Sequence, residues 1–302
     1  GAVAKRIPKI IPPEEIDLKV KSASLDVFCE VYIPNAPAVY TYGVPEGVSL
    51  SRGSLVWVKF ATRKKPALAV VSRVHGERPA FDVRLAMPHQ SGFSFSLRYM
   101  ENLEWTAHYY ICTPMKALDV FWPTELEKFL EAYAVSQVEN AGIEKAAFEM
   151  PPRPDMPALT LEQKNALDSL VCDLEGTGFR GLLLHGVTGS GKTRVYQELA
   201  YEALCRGNRV LALVPEIGLT PQTASRFESY LKVPVVVLHS ALSSPRKRKG
   251  YVSIMDGSAR VVLGTRSAIL APFDFDLVII DEEHDSSFKQ QDPAKRYHNR
   301  DL

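Results

Sequence analysis

The chain has 302 residues, of which 46% are hydrophobic and 24% charged, and its formal net charge at pH 7 is +1. These values are ordinary for a soluble globular protein. No run of about 18 apolar residues is present, so we expect no membrane span, and the N-terminus lacks the apolar stretch of a signal peptide. The four cysteines are scattered singly, which argues against a zinc site in these residues and favours the reducing cytoplasm.

Residues 24–75 are predicted to form β structure. The segments VFCEVYI, AVYTYGV, SLVWVKF and ALAVVSRV are short and rich in β-branched and aromatic residues. The stretches between them carry Pro, Gly and charge, which is typical of turns. Several short strands close together predict a small barrel or sandwich. We expect Trp57 and Trp105 to lie in a core, given their apolar flanks.

Helices and a linker are predicted next. One helix runs from about Phe95 to Ile111, and FWPTELEKFLEAY starts another, with Pro123 near its first turn. Residues 150–159 hold four prolines and are typical of a linker. We therefore predict a β-rich N-terminal domain with trailing helices over 1–134, a linker over 135–158 and a second domain over 159–302.

The second domain is predicted to be α/β. Near-continuous apolar strands, LLLHG, RVLALVP, VPVVVLH, VVLGT and LVIIDEEH, alternate with helical stretches. This alternation indicates a parallel sheet that is buried on both faces.

GVTGSGKT, preceded by the apolar run Leu182 to Leu184, matches the phosphate-binding loop G-x-x-x-x-G-K-[ST] completely. Its glycines let backbone amides approach a phosphate chain, Lys192 would reach the terminal phosphates, and the Thr193 hydroxyl would ligate Mg²⁺. The alternative is a glycine-rich loop that binds nothing. The residues predicted to bind nucleotide in this loop are Gly186, Val187, Thr188, Gly189, Ser190, Gly191, Lys192 and Thr193.

LVIIDEEH places Asp281 at the carboxyl end of a predicted strand, where parallel sheets bind ligands. Asp281 is predicted to hold Mg²⁺, Glu282 to orient and deprotonate the attacking water, and His284 to pass that chemistry to neighbouring loops. An acidic strand end that caps the next helix is the alternative. A water-activating glutamate predicts hydrolysis rather than transfer. Upstream, Gln163 offers an amide that fits the edge of adenine, although an exposed helix residue is the better explanation of this glutamine taken alone.

Two basic clusters have different interpretations. Arg63, Lys64 and Lys65 lie in a predicted turn on the β-rich domain, where DNA contact and a solvated charged face are equally good explanations. For PRKRK, residues 245–249, we favour the solvated face.

VPEIGLTPQTASRF, LHSALS, GTRSAILAPF and DEEHDSSFKQQDPAKRYHNRDL occur in this order after HGVTGSGKT. Together they resemble the PriA family of replication-restart helicases, which belong to the DExH type of superfamily 2. The resemblance covers 159–302 and implies a RecA-like lobe of an ATP-hydrolysing DNA helicase that recognises stalled forks and drives primosome assembly. More loosely, AVYTYGVPEG and RGSLVWVKF resemble the family's domain that binds the 3′ end of a nascent strand.

The resemblance also implies DNA contacts. Arg266 would meet a phosphate and Phe288 and Tyr297 would stack bases. The residues placed at DNA by the resemblance are Tyr40, Thr41 and Arg84 at the 3′-end pocket, and Glu216, Gln222, Thr265, Arg266, Ser267, Phe288, Lys289, Arg296 and Tyr297 on the helicase lobe. Where the family often has Phe-Asp-Tyr, this chain has Tyr40-Thr41-Tyr42.

The resemblance further implies parts that this sequence does not contain. The family's winged-helix region is short or absent here, and its second lobe, with zinc-binding cysteines and an arginine that completes the ATP site, would follow Leu302. We therefore expect a fragment that uses ATP and Mg²⁺, hydrolyses ATP weakly or not at all alone, and has Zn²⁺ only in the missing part. The implied partners are forked and single-stranded DNA, primosome proteins and single-stranded-DNA-binding protein, without a membrane.

Two other functions are kept open. A DNA translocase of the restriction or remodelling type shares the nucleotide motifs but not VPEIGLTPQ or GTRSAIL. A fork-binding platform with an idle nucleotide site would need only the N-terminal domain.

Overall fold

The computed structural model describes residues 10–11, 13, 16, 19–60, 65–123, 125–139, 148–153, 155–176, 178–187 and 189–289. These residues form two compact units. The first contains the described residues up to 139 together with Leu270–Asp274, and the second contains the described residues from 148 to 269 and Phe275–Lys289. The segment Leu270–Asp274, which belongs to the first unit, lies within the stretch 159–302 that the sequence predicts as the second domain.

The first unit is built on an antiparallel sheet, as its β-branched and aromatic strands predict. Its strands are β1 (Lys19–Val20), β2 (Phe28–Tyr32), β3 (Tyr40–Gly43), β4 (Leu55–Val58), β5 (Ala67–His75), β6 (Val83–Arg84) and β7 (Met87–Pro88). Five of them follow the order β3-β2-β5-β4-β7, and β1 pairs with β6. Leu85 bridges to Gly43 at one edge strand, while β7 pairs with β4 at the other. The segment 83–88 thus touches both edges, as in a small barrel.

Three helices complete the first unit. They are α1 (Leu97–Tyr109), α2 (Pro114–Phe121) and α3 (Leu126–Glu139). The Ser96 side chain caps α1, and Thr113 caps α2 ahead of Pro114. The helix expected to restart near Phe121 begins instead at Leu126, because α2 occupies the chain as far as Phe121.

The two tryptophan predictions have opposite outcomes. Trp57 is buried, but the side chain of Trp105 is 43% exposed. Its ring stacks on that of Tyr109 at a centroid distance of 4.7 Å. The expectation of a core position for Trp105 was therefore wrong, because its neighbours in the sequence lie on other faces of α1.

The second unit is an α/β domain with a parallel sheet, as predicted. Its strands are β8 (Val210–Leu213), β9 (Val235–Leu238), β10 (Val261–Gly264) and β11 (Leu277–Ile280), in the order β11-β8-β10-β9. Its helices are α4 (Leu161–Leu174), α5 (Lys192–Cys205), α6 (Pro221–Leu231) and α7 (Ser244–Met255). Every residue of β8 and β10 is buried, so the core lies at the centre of the sheet.

One predicted strand is not formed. Residues 181–187 have no regular secondary structure, and the side chains of Leu182 and Leu183 are 54% and 77% exposed. Only Leu184 of this run packs against a buried cluster, together with Leu277. The expectation of a buried strand before the phosphate-binding loop was wrong, since three leucines supply apolarity without the β-branching that favours strands.

The predicted linker is structured at both ends. The helix α3 continues to Glu139, and Phe148 and Met150 pack against the core of the second unit. Proline removes a backbone donor and excludes a segment from helices and central strands, yet side chains between prolines still bury. The described part of the chain contains no helix long and apolar enough to cross a membrane.

Candidate functional site

The glycine-rich loop leads into the first turn of α5, as its motif predicts. Gly189 and Gly191 have φ angles of +81° and +83°, a region that a β-carbon disfavours. Gly191 is the N-cap residue of α5 and offers no side-chain hydrogen bond to the helix. The first amides of α5 are therefore not satisfied by a cap and lie at the positive end of the helix dipole, where a phosphate is stabilised.

Lys192 brings a cation to this loop. Its Nζ donates to the carbonyl oxygen of Gly186 at 2.8 Å and lies 3.4 Å from that of Val187. An ammonium held by neutral carbonyls is ready to exchange them for phosphate oxygens, which bind a charged donor more strongly. Thr193 follows on the same turn and is exposed, so its hydroxyl is accessible to a metal ion. Thr188 lies outside the described residues.

Asp281 lies at the carboxyl end of β11, as predicted. Its backbone N–H donates to Leu213 at 2.9 Å, which fixes the residue beside the end of β8. Burial raises the pKa of the Asp281 carboxyl, and the charge of Glu282 raises it further. The Lys192 ammonium and a hydrogen bond from Tyr196 act in the opposite direction on this pKa. The structure therefore brings together Lys192 and Asp281, which are far apart in the sequence.

Tyr196 is a site residue that the sequence analysis missed. It is partly buried against the core of the second unit, and its hydroxyl lies close enough to the Asp281 carboxyl to lower the pKa of that group. Burial, followed by the negative charges of Asp281 and Glu282, raises the pKa of Tyr196 to about 12. A hydroxyl that stays protonated donates to the carboxylate at any physiological pH. The spacing of four residues from Lys192, one helical turn, is the only signal that points to it.

Glu282 and His284 form the exposed part of the acidic motif. Glu282 has a φ of +51°, which is strained for a residue with a side chain. Its carbonyl accepts from the N–H of Asp285 at 2.8 Å, so a tight turn follows Asp281. His284 Nε2 lies 3.6 Å from Glu282 Oε2, and both side chains are exposed. The turn therefore presents an exposed carboxylate and an exposed imidazole beside Asp281.

Gln163, in the first turn of α4, contacts the phosphate-binding loop. The side-chain Oε1 of Gln163 accepts from the backbone N–H of Thr160, and the backbone N–H of Gln163 donates to the Thr160 hydroxyl. These two hydrogen bonds form the capping box of α4. The Gln163 Nε2 donates to the carbonyl of Ser190 at 3.2 Å. An amide has two donors and two acceptor lone pairs, so one donor and one lone pair remain for a base.

The residues expected at DNA on the second unit are not equally accessible. Glu216, Gln222 and Lys289 are exposed and Ser267 is half-buried. Thr265 is 3% exposed and Phe288 is fully buried. The expected stacking of Phe288 on a base is therefore contradicted in this structure, because the ring belongs to the core, and the Thr265 side chain is likewise enclosed. Arg296 and Tyr297 lie outside the described residues.

Arg266 connects two of these motifs. Its Nη1 donates to the carbonyls of Ser287 at 2.9 Å and Lys289 at 3.0 Å. Part of the guanidinium is thus used to hold the segment that follows the acidic motif. This contact links the region after β10 to the region after β11.

The predicted 3′-end pocket lies on the first unit. Tyr40 and Thr41 are half-buried on β3, and the Tyr40 ring packs edge-on against Phe60 at 5.0 Å. Burial raises the pKa of Tyr42 to about 12, and the nearby Arg84 guanidinium opposes this. The Arg84 Nε is buried and has no hydrogen-bond partner within the described part of the chain. Lys65 is exposed, and Arg63 and Lys64 lie outside the described residues.

Comparisons with known proteins find a matching family for the N-terminal part of the chain and another for the C-terminal part. A family described as the 3′ DNA-binding domain of PriA matches residues 30–123, and one described as "Type III restriction enzyme, res subunit" matches residues 157–300. Curated "Replication restart protein PriA" sequences are similar as well. That of Haemophilus influenzae is 32% identical over 88% of this chain and 45% of the relative. Those of Synechocystis sp. and Bacillus subtilis are 48% and 43% identical, each over 48% of this chain and 17% and 18% of the relative. The chain spans less than half the length of each.

Proposed function

Because this chain belongs to the PriA family of replication restart proteins and matches their N-terminal portion, we propose that it is the DNA-binding and ATP-binding part of a replication-restart helicase. In this proposal the whole protein recognises stalled forks and 3′ nascent-strand ends and drives primosome assembly. Its partners are forked and single-stranded DNA, primosome proteins and single-stranded-DNA-binding protein. The observation that carries the proposal is the proximity of Lys192 and Asp281 at the end of a parallel sheet.

The proposed reaction is hydrolysis of ATP. The amides of α5 and the Lys192 ammonium hold the phosphate chain, and Gln163 contacts adenine. Thr193 and Asp281 would hold Mg²⁺, which neutralises negative charge on the phosphate oxygens when it is bound. Glu282 orients and deprotonates the attacking water. The Lys192 ammonium and the Tyr196 hydroxyl lower the pKa of Asp281, against the effects of burial and of the Glu282 charge, and so favour the ionised form that binds a cation.

DNA binding is proposed for both units. On the first, Tyr40, Thr41 and Arg84 hold a 3′ end, and the match of residues 30–123 to the family's 3′ DNA-binding domain supports this. On the second, Glu216, Gln222, Arg266, Ser267 and Lys289 face single-stranded DNA. Turnover by this chain alone is proposed to be slow, because an arginine that stabilises the transferring phosphoryl group is worth about 10³–10⁵ in rate and the resemblance assigns it to another lobe.

The test is the substitution Lys192→Ala, with Lys232→Ala as the matched control on the surface of the second unit. A hydrogen bond to a charged group contributes about 1.5–3 kcal/mol, so we expect Mg²⁺–ATP affinity to fall roughly 10- to 150-fold in the first variant only. Titration with a fluorescent ATP analogue measures this. Affinity for forked DNA should be the same in both variants.

Two results would contradict the proposal. A loss of fork affinity in Lys192→Ala that equals its loss of ATP affinity would overturn the assignment of Lys192 to the phosphates of ATP alone. A wild-type chain that binds forks but no nucleotide would support a fork-binding platform, which the exposed, irregular run before the loop favours.

A further inference from the structure

Four consecutive basic residues, Arg246, Lys247, Arg248 and Lys249, occupy the first turns of α7. We term them the basic turn. The sequence alone favours a solvated charged face for such a cluster. Its position at the N-terminus of α7 and its position beyond the carboxyl end of β9 both favour a binding role.

The charges lie at the unfavourable end of the helix. A helix N-terminus is the positive end of its dipole and stabilises acidic residues rather than basic ones. The first turn of α7 contains no acidic residue, and the N-cap Ser243 makes no side-chain cap bond. Arg246 and Lys249 are both exposed and are three positions apart, where like charges repel. An anion would relieve both effects.

The structure offers these two residues no acidic partner of their own. Among the residues that the structure describes, the ion pairs include neither Arg246 nor Lys249. Their cationic groups are therefore available to an external ligand.

The basic turn lies at one end of a row of connections. Gly264 is in register with both Leu213 and Leu238, and Ile280 is in register with Leu213. The chain thus leaves all four parallel strands at one edge of the sheet, in the order β11, β8, β10, β9. Asp281 follows β11 at one end of this row, and the basic turn follows β9 at the other. The segments Glu216–Gly218 and Arg266–Leu270 follow β8 and β10 between them.

Close packing fixes the basic turn at this edge. A β-carbon at Gly250 would lie 2.7 Å from Val236 Cγ1, so α7 packs directly on β9 immediately after the basic turn. The N–H of Thr265 donates to the carbonyl of Leu238 at 3.1 Å and holds the next connection against the end of β9. The four strands, spaced at about 4.8 Å, set the length of this edge at roughly 14 Å. One strand of a nucleic-acid backbone fits along an edge of this length.

We propose that the basic turn binds the phosphate backbone of single-stranded DNA, at the end of the carboxyl edge farthest from Asp281. The proposal rests on the proposed function, in which the second unit engages single-stranded DNA, and adds a contact site to it. Phosphates neutralise the cations at the start of α7, and the contact is independent of base sequence.

The experiment compares Arg246→Gln/Lys249→Gln with Arg206→Gln/Lys232→Gln. Each double variant loses one arginine and one lysine, but Arg206 and Lys232 precede the amino ends of β8 and β9 and lie at the opposite edge. Anisotropy titrations over a range of salt concentrations use a labelled oligonucleotide with a 3′-phosphate, which offers no free 3′ hydroxyl to the first unit. Each phosphate contact on a single strand contributes about 0.7 to the slope of log affinity against log salt. The first variant should therefore lose about 1.4 from this slope, and the second should lose nothing.

The possible outcomes distinguish a failure of this inference from a failure of the proposed function. Equal slopes for wild type and Arg246→Gln/Lys249→Gln, with unchanged circular dichroism, overturn the basic turn as a contact site and leave the proposed function standing. An equal loss on a blunt duplex overturns the assignment to single strands. A wild-type chain that binds no single-stranded DNA at any salt concentration overturns the proposed function as well. The charge-conserving Arg246→Lys/Lys249→Arg variant should retain the wild-type slope.

Discussion

Two apolar runs lead into the two halves of the proposed nucleotide site, and only one of them is a strand. Leu277–Ile280 forms β11 and pairs with β8, whereas residues 182–184 are irregular and largely exposed. Three of the four residues in β11 are β-branched, while the other run consists of leucine, a good helix former. The comparison shows that apolarity alone does not make a run a strand, and it points to β-branching or a partner strand as the missing requirement.

The two halves of the proposed nucleotide site are also held in place by different interactions. Asp281 is fixed by a backbone bond to Leu213, as an extension of the sheet. The loop before Lys192 lacks such a ladder, and its helix α5 is held by side chains. Glu198 of α5 lies between Arg153 and Arg194, with N···O distances of 2.8 Å to each. Arg194 directly follows Thr193, so this ion-pair network supports the loop from the helix behind it.

The largest expected effect is therefore on Glu198. Its side chain is only 3% exposed, and its removal leaves Arg194, which is 19% exposed, without its carboxylate. Breaking a buried pair by removing one partner costs about 3–5 kcal/mol, and we expect a loss at the lower end of this range for Glu198→Ala, since Arg153 is half exposed. Hydrogen exchange of the amides of α5 measures the free energy of opening of the second unit.

Glu202→Ala is the matched control for this prediction. Glu202 lies one turn later on α5 and pairs with Arg153 and Arg206, but its side chain is 24% exposed. A partly solvated pair contributes about 0.2–1 kcal/mol. Equal losses in the two variants would show that burial of Glu198 does not support the loop.

The sequence predicts the residues that would bind nucleotide and Mg²⁺ better than it predicts the buried side chains that hold them in place. GKT and DEEH predict that Lys192 and Asp281 meet, because each follows an apolar run expected to be a strand of one parallel sheet, although only Leu277–Ile280 forms such a strand. The burial of Glu198 depends on Arg153, which the chain places 45 positions earlier, and a glutamate on a helix otherwise looks solvated. Phe288 is expected to stack on a base because the resemblance places it at DNA, whereas packing places its ring in the core. Such long-range packing leaves no periodic signal in the sequence.

A smaller effect, with a definite direction, is expected at Tyr196. Its hydroxyl donates to Asp281, which stabilises the ionised carboxylate. In Tyr196→Phe the pKa of Asp281, already raised by burial, should rise further. Mg²⁺ binds the ionised form, so Mg²⁺-dependent nucleotide binding is lost as the pH falls, and the midpoint of this loss should lie at a higher pH in the variant. A hydrogen bond is worth about 0.5–1.5 kcal/mol, or roughly two- to tenfold in affinity.

Titrations of a fluorescent nucleotide with Mg²⁺, from mildly acidic to neutral pH, measure this midpoint. Tyr201→Phe is the control on the same helix, because the Tyr201 hydroxyl donates to the carbonyl of Pro151 at 2.9 Å and not to Asp281. A midpoint that is unchanged, or moves to lower pH, in Tyr196→Phe would show that the hydroxyl does not stabilise the carboxylate.

The smallest effect tests the comparison of the two apolar runs directly. If β-branching is what residues 182–184 lack, Leu182→Val/Leu183→Val should raise their strand propensity. The full propensity scale spans about 1 kcal/mol, so we expect hydrogen exchange of these amides to slow by only a few-fold. Both side chains are largely exposed, and the substitution therefore creates no core cavity. Leu182→Met/Leu183→Met, apolar but unbranched at Cβ, should leave exchange unchanged. Equal exchange in the valine and methionine variants would mean that the missing partner strand, rather than side-chain shape, keeps this run irregular.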